Sequence, residues 1–400
     1  MALIWFLAAL FLAHIFTAAA ISVLQINYLK KHKNDTAVLL DQNAWSLAAD
    51  YAIAKERLGI VSSFYSIALY IIWIVFALNF FDSAILIEQS YLKSAAIITI
   101  FFAINALLGL PFDYYNTFVL DQKFGFNKSN KKLFFTDFIK SFIITIAAAY
   151  IVSLIVAIII TSSQNWWIYS FIFLFALIVL LNLFFPLIRK LFDRFTPLDG
   201  TPIGEEIKSL LNSAGFSASG VYKIDASKRD TRLNAYFAGL GKNKRVALYD
   251  TLLEKLSTSE ILAVLAHELG HFKHNDIYKQ MAILGFALFL ILALFGHIDY
   301  GIFSSIGLPN SPVTLMVVFL IFSAPLFFFI EPFFNMLSRS AEFAADAYSA
   351  KLTNQNDLKS ALIKLVTENR AFPRKHSLYA LWHESHPNIL ERIEKLNGDR

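Results

Sequence analysis

Cysteine is absent from this chain of 400 residues, which excludes a disulfide framework and any thiolate metal ligand. A metal ion, if bound, has to be held by imidazole and carboxylate. Charge is scarce as well: Asp, Glu, Lys and Arg make up 16% of the residues, against 57% hydrophobic. Soluble domains carry about 25% charged residues, so this composition implies an integral membrane protein. The net charge is only +5, and no basic stripe is interleaved with exposed aromatics, so nucleic acid is not an expected partner. Repeats and low-complexity tracts are also missing.

A membrane span needs about 20 apolar residues, and seven stretches qualify: 3–24, 61–81, 95–110, 142–160, 166–188, 281–303 and 313–334. The third is the shortest, and Gly109-Leu110-Pro111 is expected to close it. Thr17-Ala18-Ala19-Ala20 resembles a signal-peptidase site. No basic residue precedes that apolar run, however, and the run continues past the alanines, so it reads as an uncleaved span. Basic residues gather on the cytoplasmic side of a membrane protein. Lys30, Lys31, Lys33, Lys55 and Arg57 follow the first span, and Lys123, Lys128, Lys131, Lys132 and Lys140 lie between the third and fourth. With the N-terminus outside, Lys93 is the one Lys or Arg left on the outer face, and the two long polar segments are cytoplasmic.

The chain then divides into 1–188, five transmembrane helices with cytoplasmic loops; 189–280, a cytoplasmic loop domain; 281–335, two further spans; and 336–400, a cytoplasmic C-terminal domain. In the loop domain an amphipathic helix is expected over 204–214, with Ile207, Leu210 and Leu211 on one side, followed by β-type runs at 221–224, 234–237 and 245–249. The tail should hold helices at 338–348, 358–369 and 388–396.

One stretch of the loop domain names a chemistry: His267-Glu268-Leu269-Gly270-His271. Residues four apart share a helix face, so both imidazoles can reach one metal ion while Glu268 is angled toward a water. Chance alone would place such a pentad in roughly one chain in a hundred of this composition. Its setting is what makes it specific. Ser257-Thr258-Ser259-Glu260 reads as a capping box, and Ile261, Leu262, Val264, Leu265 and Leu269 have helical spacing. The helix is expected to continue toward the sixth span and so to be anchored directly in the membrane bundle. Catalytic zinc usually takes three protein ligands and keeps a fourth position for water. Glu342 is the expected third, on a tail helix that folds back after the seventh span, with Asp346 on the same face to accept a hydrogen bond from a ligand imidazole. A lone Glu is more often a solvated surface group, but this one is set among Ala and Phe. His274 shares a face with His271 and is read as a supporting or surface residue. His386, taken by itself, is a loop histidine before proline.

Together these residues resemble the Ste24 family of membrane zinc metallopeptidases, the type I prenyl-CaaX endopeptidases. The pentad, Ser338-Arg339 through Glu342-Phe343 to Ala345-Asp346, Asn234-Ala235-Tyr236, the run Arg245 to Leu252, and Ser385-His386-Pro387 before Arg392-Ile393 carry the likeness. So do Leu110-Pro111, Tyr114-Tyr115, Lys123 to Asn127, Phe192-Asp193 and Phe195 to Leu198. The likeness covers essentially the whole chain, and seven spans favour it over the shorter bacterial HtpX type.

It implies one Zn2+ held by His267, His271 and Glu342, with Glu268 as general base and acid. Asn234 and Ala235 would belong to an edge strand that pairs with the substrate backbone, His386 would stabilise the oxyanion or the substrate carbonyl, and Arg392 would either join it there or support the metal ligands. The implied architecture is an all-α polytopic membrane protein whose seven transmembrane helices enclose a water-filled chamber, with a small α+β zinc metallopeptidase module on the cytoplasmic side. Asn79, Asn105, Asn182 and Glu331 are candidates to face such a chamber. In the implied reaction zinc polarises the scissile carbonyl, and Glu268 takes a proton from the attacking water and returns it to the leaving amine.

The implied activity is an endopeptidase acting on peptides or proteins near membrane lipids, including removal of the last three residues of a prenylated CaaX terminus. A second reading is a quality-control protease for damaged or translocation-stalled membrane proteins. Protein prenylation is chiefly eukaryotic, so a bacterial host would favour this second role. The compact loops and the want of a C-terminal retention signal lean toward a bacterial inner membrane, with the endoplasmic reticulum as the site in a eukaryote. A third is a transporter or channel with a structural metal site. Against it stands Glu268, since a structural zinc usually closes with four protein ligands and needs no base.

Overall fold

Seven helices long and apolar enough to cross a membrane dominate the computed structural model, which describes residues 2–216, 220–238, 245–299 and 301–398. They are Trp5–His32, Gln42–Ala84, Ser90–Asp121, Lys131–Ser162, Trp166–Arg189, Asp276–Gly296 and Pro312–Leu352, here called spans one to seven. Spans two and seven have 43 and 41 residues. At 1.5 Å per residue each measures roughly 60–65 Å, about twice the hydrocarbon thickness, so both project well beyond it. Spans two and five bury only 6% of their most apolar window within the protein; most of that surface needs lipid to cover it.

Packing is concentrated at the end of the bundle away from the polar module. There Trp73, Ile97, Phe101, Phe295, Val317 and Ile321 form one buried cluster from spans two, three, six and seven. Toward the module the bundle opens into a cavity of about 1310 Å³ bordered by His14, Phe328, Glu331, Asn335 and Ser338. Of the four polar residues expected to face inward, Glu331 alone borders this cavity. Asn79 donates to the Gly307 carbonyl at 3.0 Å, and Asn105 and Asn182 donate to the Phe101 and Ile178 carbonyls of their own helices.

Three expectations are corrected. Pro111 does not end span three, because proline is tolerated in membrane helices where local adjustments re-satisfy the freed carbonyl; the helix runs on, and Asn116–Asp121 is π-helical. The pentad helix does not continue into span six. It ends at Lys273, His274 caps it, and Asn275 takes a left-handed conformation (φ +59°) before span six begins at Asp276, a conformation asparagine visits more readily than other side chains. Nor does the chain turn back before it reaches Glu342. Glu342 and Asp346 lie on the same unbroken helix as the span, so the expected boundaries at 280 and 335 both fall inside helices.

The module is built on a sheet of order β1-β2-β4-β3, with β1 Phe195–Pro197, β2 Val221–Ile224, β3 Ala235–Ala238 and β4 Arg245–Tyr249. The β2/β4 pair is parallel, β1 and β3 are antiparallel to their neighbours, and β3 is an edge. The residues entering β3 are fastened to the membrane domain. Thr231 N–H donates to the Phe126 carbonyl at 3.2 Å, and Arg232 reaches Tyr51 of span two at 2.6 Å and Asp121 of span three at 3.1 Å.

The pentad helix, Thr258–Lys273, starts at a full capping box. Ser257 N–H donates to Glu260 at 2.7 Å, while Ser360 and Lys364 of helix Gln355–Glu368 donate to the same carboxylate at 2.6 and 2.7 Å. Burial would raise the Glu260 pKa, but these donors outweigh it and bring it down to about 2. A carboxyl depressed on folding stabilises the native state above its unfolded value near 4.5 and loses that contribution as pH falls toward 2. Glu260→Ala should therefore cost about 2 kcal/mol in denaturant unfolding at pH 7. At pH 2 the gap between variant and wild type should shrink to under half.

Candidate metal centre and substrate edge

The pentad helix and span seven cross at Gly270, where an added Cβ would lie 2.7 Å from the Ala345 Cα. Any larger residue would force the helices apart. Ser349 of span seven donates to the Ala263 carbonyl at 2.7 Å and fixes the crossing a second time. This close approach sets Glu342 against both histidines: Oε2 lies 3.4 Å from His267 Nε2 and Oε1 lies 3.2 Å from His271 Nε2. One ligand atom from each of the three lies within 4.8 Å of the others.

Ligands bound at about 2 Å around a tetrahedral ion stand about 3.3 Å apart, so these separations fit a divalent metal. The surroundings fit as well. His267 Nδ1 meets Asp346 at 2.9 Å and His271 Nδ1 meets Asp276 at 3.1 Å, which leaves both Nε2 atoms directed at Glu342. Oε2 of Glu342 has His386 Nδ1 at 2.9 Å, but not along a hydrogen-bonding direction, and it is buried without a hydrogen bond. Such an orphaned oxygen suits a ligand. Burial would lower the His267 pKa, yet Asp346 and Glu342 push it up to about 9. The two carboxylates that cause this shift also favour positive charge in the form of a dication, which would displace the proton on binding.

Asp276 was not singled out from the sequence. Its signal lay in the pair Asn275-Asp276, a helix start placed five residues after His271, which the expectation of one continuous helix concealed. The break swings the first residue of span six back onto the imidazole. Carboxylates behind a metal-ligating histidine typically contribute 10–100-fold to affinity. Asp276→Asn should weaken metal binding by about that factor in a competition titration with a chromophoric chelator.

Arg392 stands behind the ligands, paired with Asp346. Its Nε and Nη2 donate to Asp346 at 2.8 and 2.6 Å, with Nη1 3.5 Å from Glu342. This buried bidentate pair with a carboxylate commits the guanidinium to holding Asp346. His386 converges on the cluster yet remains exposed. His274 lies beside Tyr348, with ring centroids 6.2 Å apart.

Glu268 faces a cleft of about 780 Å³ that is also bordered by Asn234, Ala235, Asn369, His386 and Arg392. Of the edge-strand pair, Asn234 has its carbonyl engaged by Tyr249 N–H of β4 at 3.1 Å. Backbone groups alternate sides along a strand, so Ala235 and Phe237 direct theirs to the open side. Asn234 contributes its exposed side chain to the cleft.

A base beside two imidazoles and a carboxylate, under an open strand edge and on helices rooted in the bilayer, defines a multi-pass membrane metallopeptidase. Comparison with known proteins agrees over both halves. Residues 25–194 match the model described as CAAX prenyl protease N-terminal, five membrane helices, and residues 197–400 match peptidase family M48. The human CAAX prenyl protease 1 homolog is 36% identical over 340 residues, covering 73% of this chain and 71% of the relative. CAAX prenyl protease 1 of Saccharomyces cerevisiae is 32% identical over 394 residues, covering 90% and 86%. The crystal structure of S. mikatae Ste24p superposes with a TM-score of 0.90 at 30% identity, covering 98% of each chain. The chain belongs to peptidase family M48 and, within it, to the Ste24-type CAAX prenyl proteases. It is a metalloendopeptidase that acts on peptide or protein substrates, and membership in this family sets aside the transporter reading.

Proposed function

We propose that the chain is a zinc-dependent CaaX prenyl protease that removes the C-terminal tripeptide from prenylated substrates at the cytoplasmic face of its membrane. The observation that carries this reading is the position of the metal cluster between two spaces. Glu342 stands on span seven between Arg339, which borders the cleft with the open strand, and Ala341 and Ala344, which border the membrane-side cavity. Such a site can take a peptide on one side and an isoprenoid chain on the other. The curated relatives cited above carry the CAAX prenyl protease name, which favours this role over general quality control. The distribution of Lys and Arg supports a cytoplasmic module, whether the membrane is a bacterial inner membrane or the endoplasmic reticulum.

His267, His271 and Glu342 would hold the zinc, whose histidine–carboxylate donor set suits that metal in the absence of cysteine. When bound, zinc supplies Lewis-acid polarisation of the scissile carbonyl and acidifies a water. Glu268 takes the proton from that water and delivers it to the departing amine. Ala235 aligns the substrate backbone through main-chain hydrogen bonds. Asn234 and His386 meet the peptide in the cleft, His386 at the carbonyl oxygen. Asp346, held by Arg392, and Asp276 keep the imidazoles in the tautomer that presents Nε2 to the metal. The sheet, the pentad helix, the module end of span seven and the helices after it act as the catalytic module and the remainder as its membrane scaffold.

The direct test incubates purified protein with a farnesylated CaaX peptide and its unprenylated twin and reads product masses, with a chelator control. Release of the tripeptide at least about tenfold faster from the farnesylated peptide, abolished by chelator and restored by zinc, is expected. Equal cleavage of both peptides would remove the prenyl requirement. Insensitivity to chelator would remove the metal.

A further inference from the structure

Spans two and three leave between them, at the end of the bundle next to the polar module, a groove of about 580 Å³. It shares no lining residue with the cleft or with the membrane-side cavity, so the metal site does not account for it. Its walls are tied together. Lys55 Nζ of span two donates to Asn116 Oδ1 of span three at 2.7 Å, and Leu120, Phe124 and Phe126 pack against Tyr51, Ala54 and Leu58.

The groove changes polarity along its length. Val61 opens the apolar stretch of span two, and Pro111 and Phe112 directly follow that of span three. With the exposed Val119 they form an apolar wall that starts at the level of the bilayer. Arg57 precedes Val61 by one helical turn, about 6 Å, which puts it in the headgroup layer. Lys123 borders the groove just past the end of span three. Tyr115, exposed between the two regions, has the apolar body and polar tip favoured at a membrane interface.

Both cations are free to bind a ligand. Arg57 and Lys123 are exposed, and neither forms an ion pair with a described residue; Lys123 has only the Phe124 ring, at 5.6 Å. Among the described residues no Asp or Glu borders the groove. Basic pockets between membrane helices receive acidic lipid heads. A soluble anion would leave the apolar wall uncovered, and a neutral lipid would leave the two cations without a counter-charge. We propose that this groove is a binding site for an anionic glycerophospholipid, with its phosphate at Arg57 and Lys123 and an acyl chain along Val61, Phe112 and Val119. The lipid sits beside Asp121, where Arg232 fastens the residues entering β3 to the membrane domain.

The test titrates full-length protein in a neutral detergent with phosphatidylglycerol or with phosphatidylcholine of the same chains, and native mass spectrometry counts the bound lipid. Phosphatidylglycerol should bind at least about tenfold more tightly than phosphatidylcholine. Arg57→Gln and Lys123→Gln should each weaken phosphatidylglycerol about fivefold, and the double variant roughly 25-fold, with phosphatidylcholine unchanged. Lys190→Gln, which removes a cation at the end of span five outside the groove, should alter it by less than about twofold. Unchanged phosphatidylcholine binding in the same samples shows that the variants are folded. No preference of the wild type for phosphatidylglycerol overturns the site. A loss in Lys190→Gln equal to that in the groove variants also overturns it, since the attraction would then be diffuse. Displacement of phosphatidylglycerol by equimolar glycerol phosphate would make the occupant a small anion and overturn the lipid assignment.

Discussion

Glu268→Gln should retain its metal at full stoichiometry and lose at least about a thousandfold in kcat/KM, roughly 4 kcal/mol of transition-state stabilisation. Gln has the shape of Glu and cannot accept a proton, so the substitution separates proton transfer from metal binding. Glu268 is not among the three residues whose ligand atoms converge. It borders the cleft one residue from His267, where a water and a peptide can both meet it. The check is single-turnover cleavage alongside elemental analysis of the same sample. Retention of a tenth of wild-type turnover would remove Glu268 from the chemistry. Loss of the metal would reassign it as a ligand.

Glu342→Ala should strip the metal during purification and leave no measurable cleavage. Glu342 is the only carboxylate among the described residues that reaches both His267 and His271 Nε2 atoms. Two imidazoles alone form an incomplete site, since catalytic zinc takes three protein ligands. Removing the carboxylate also leaves Arg392 and Asp346 packed around a small void, and about 2 kcal/mol of stability should go with it. Elemental analysis after gel filtration reads the first effect, and a melting curve of the chelator-treated protein reads the second. Full metal occupancy in this variant would mean that another residue, such as His386, completes the site.

Much of this was legible from composition and period. Seven apolar stretches became seven spans because in lipid each backbone must satisfy its own hydrogen bonds, and a helix does so by itself. The pentad and its capping box were legible because both are local. Glu342 could be found four residues before Asp346 on one helical face, although the route to the histidines could not. That route is a helix crossing at Gly270, and a glycine that admits a neighbouring backbone looks in sequence like any other. Asp276 was hidden for a related reason. Periodicity continues across Asn275, and only the left-handed residue there reveals that the helix has turned. Sequence gave Arg392 a place at the site but not its partner; Asp346 pairs with it from 46 residues away.

Span seven carries its bilayer-crossing stretch and Glu342 on one continuous helix, so a tilt of the span is passed on to the metal-binding carboxylate. From the residue at mid-bilayer to Glu342 is some twenty residues, or about 30 Å. A tilt of roughly 5° over that lever would displace a ligand by about 2.6 Å, more than a coordination bond tolerates. The crossing at Gly270 and Ala345 serves as the fulcrum that resists it. Lipid thickness, which sets helix tilt through hydrophobic mismatch, thereby becomes a mechanical load on the catalytic centre.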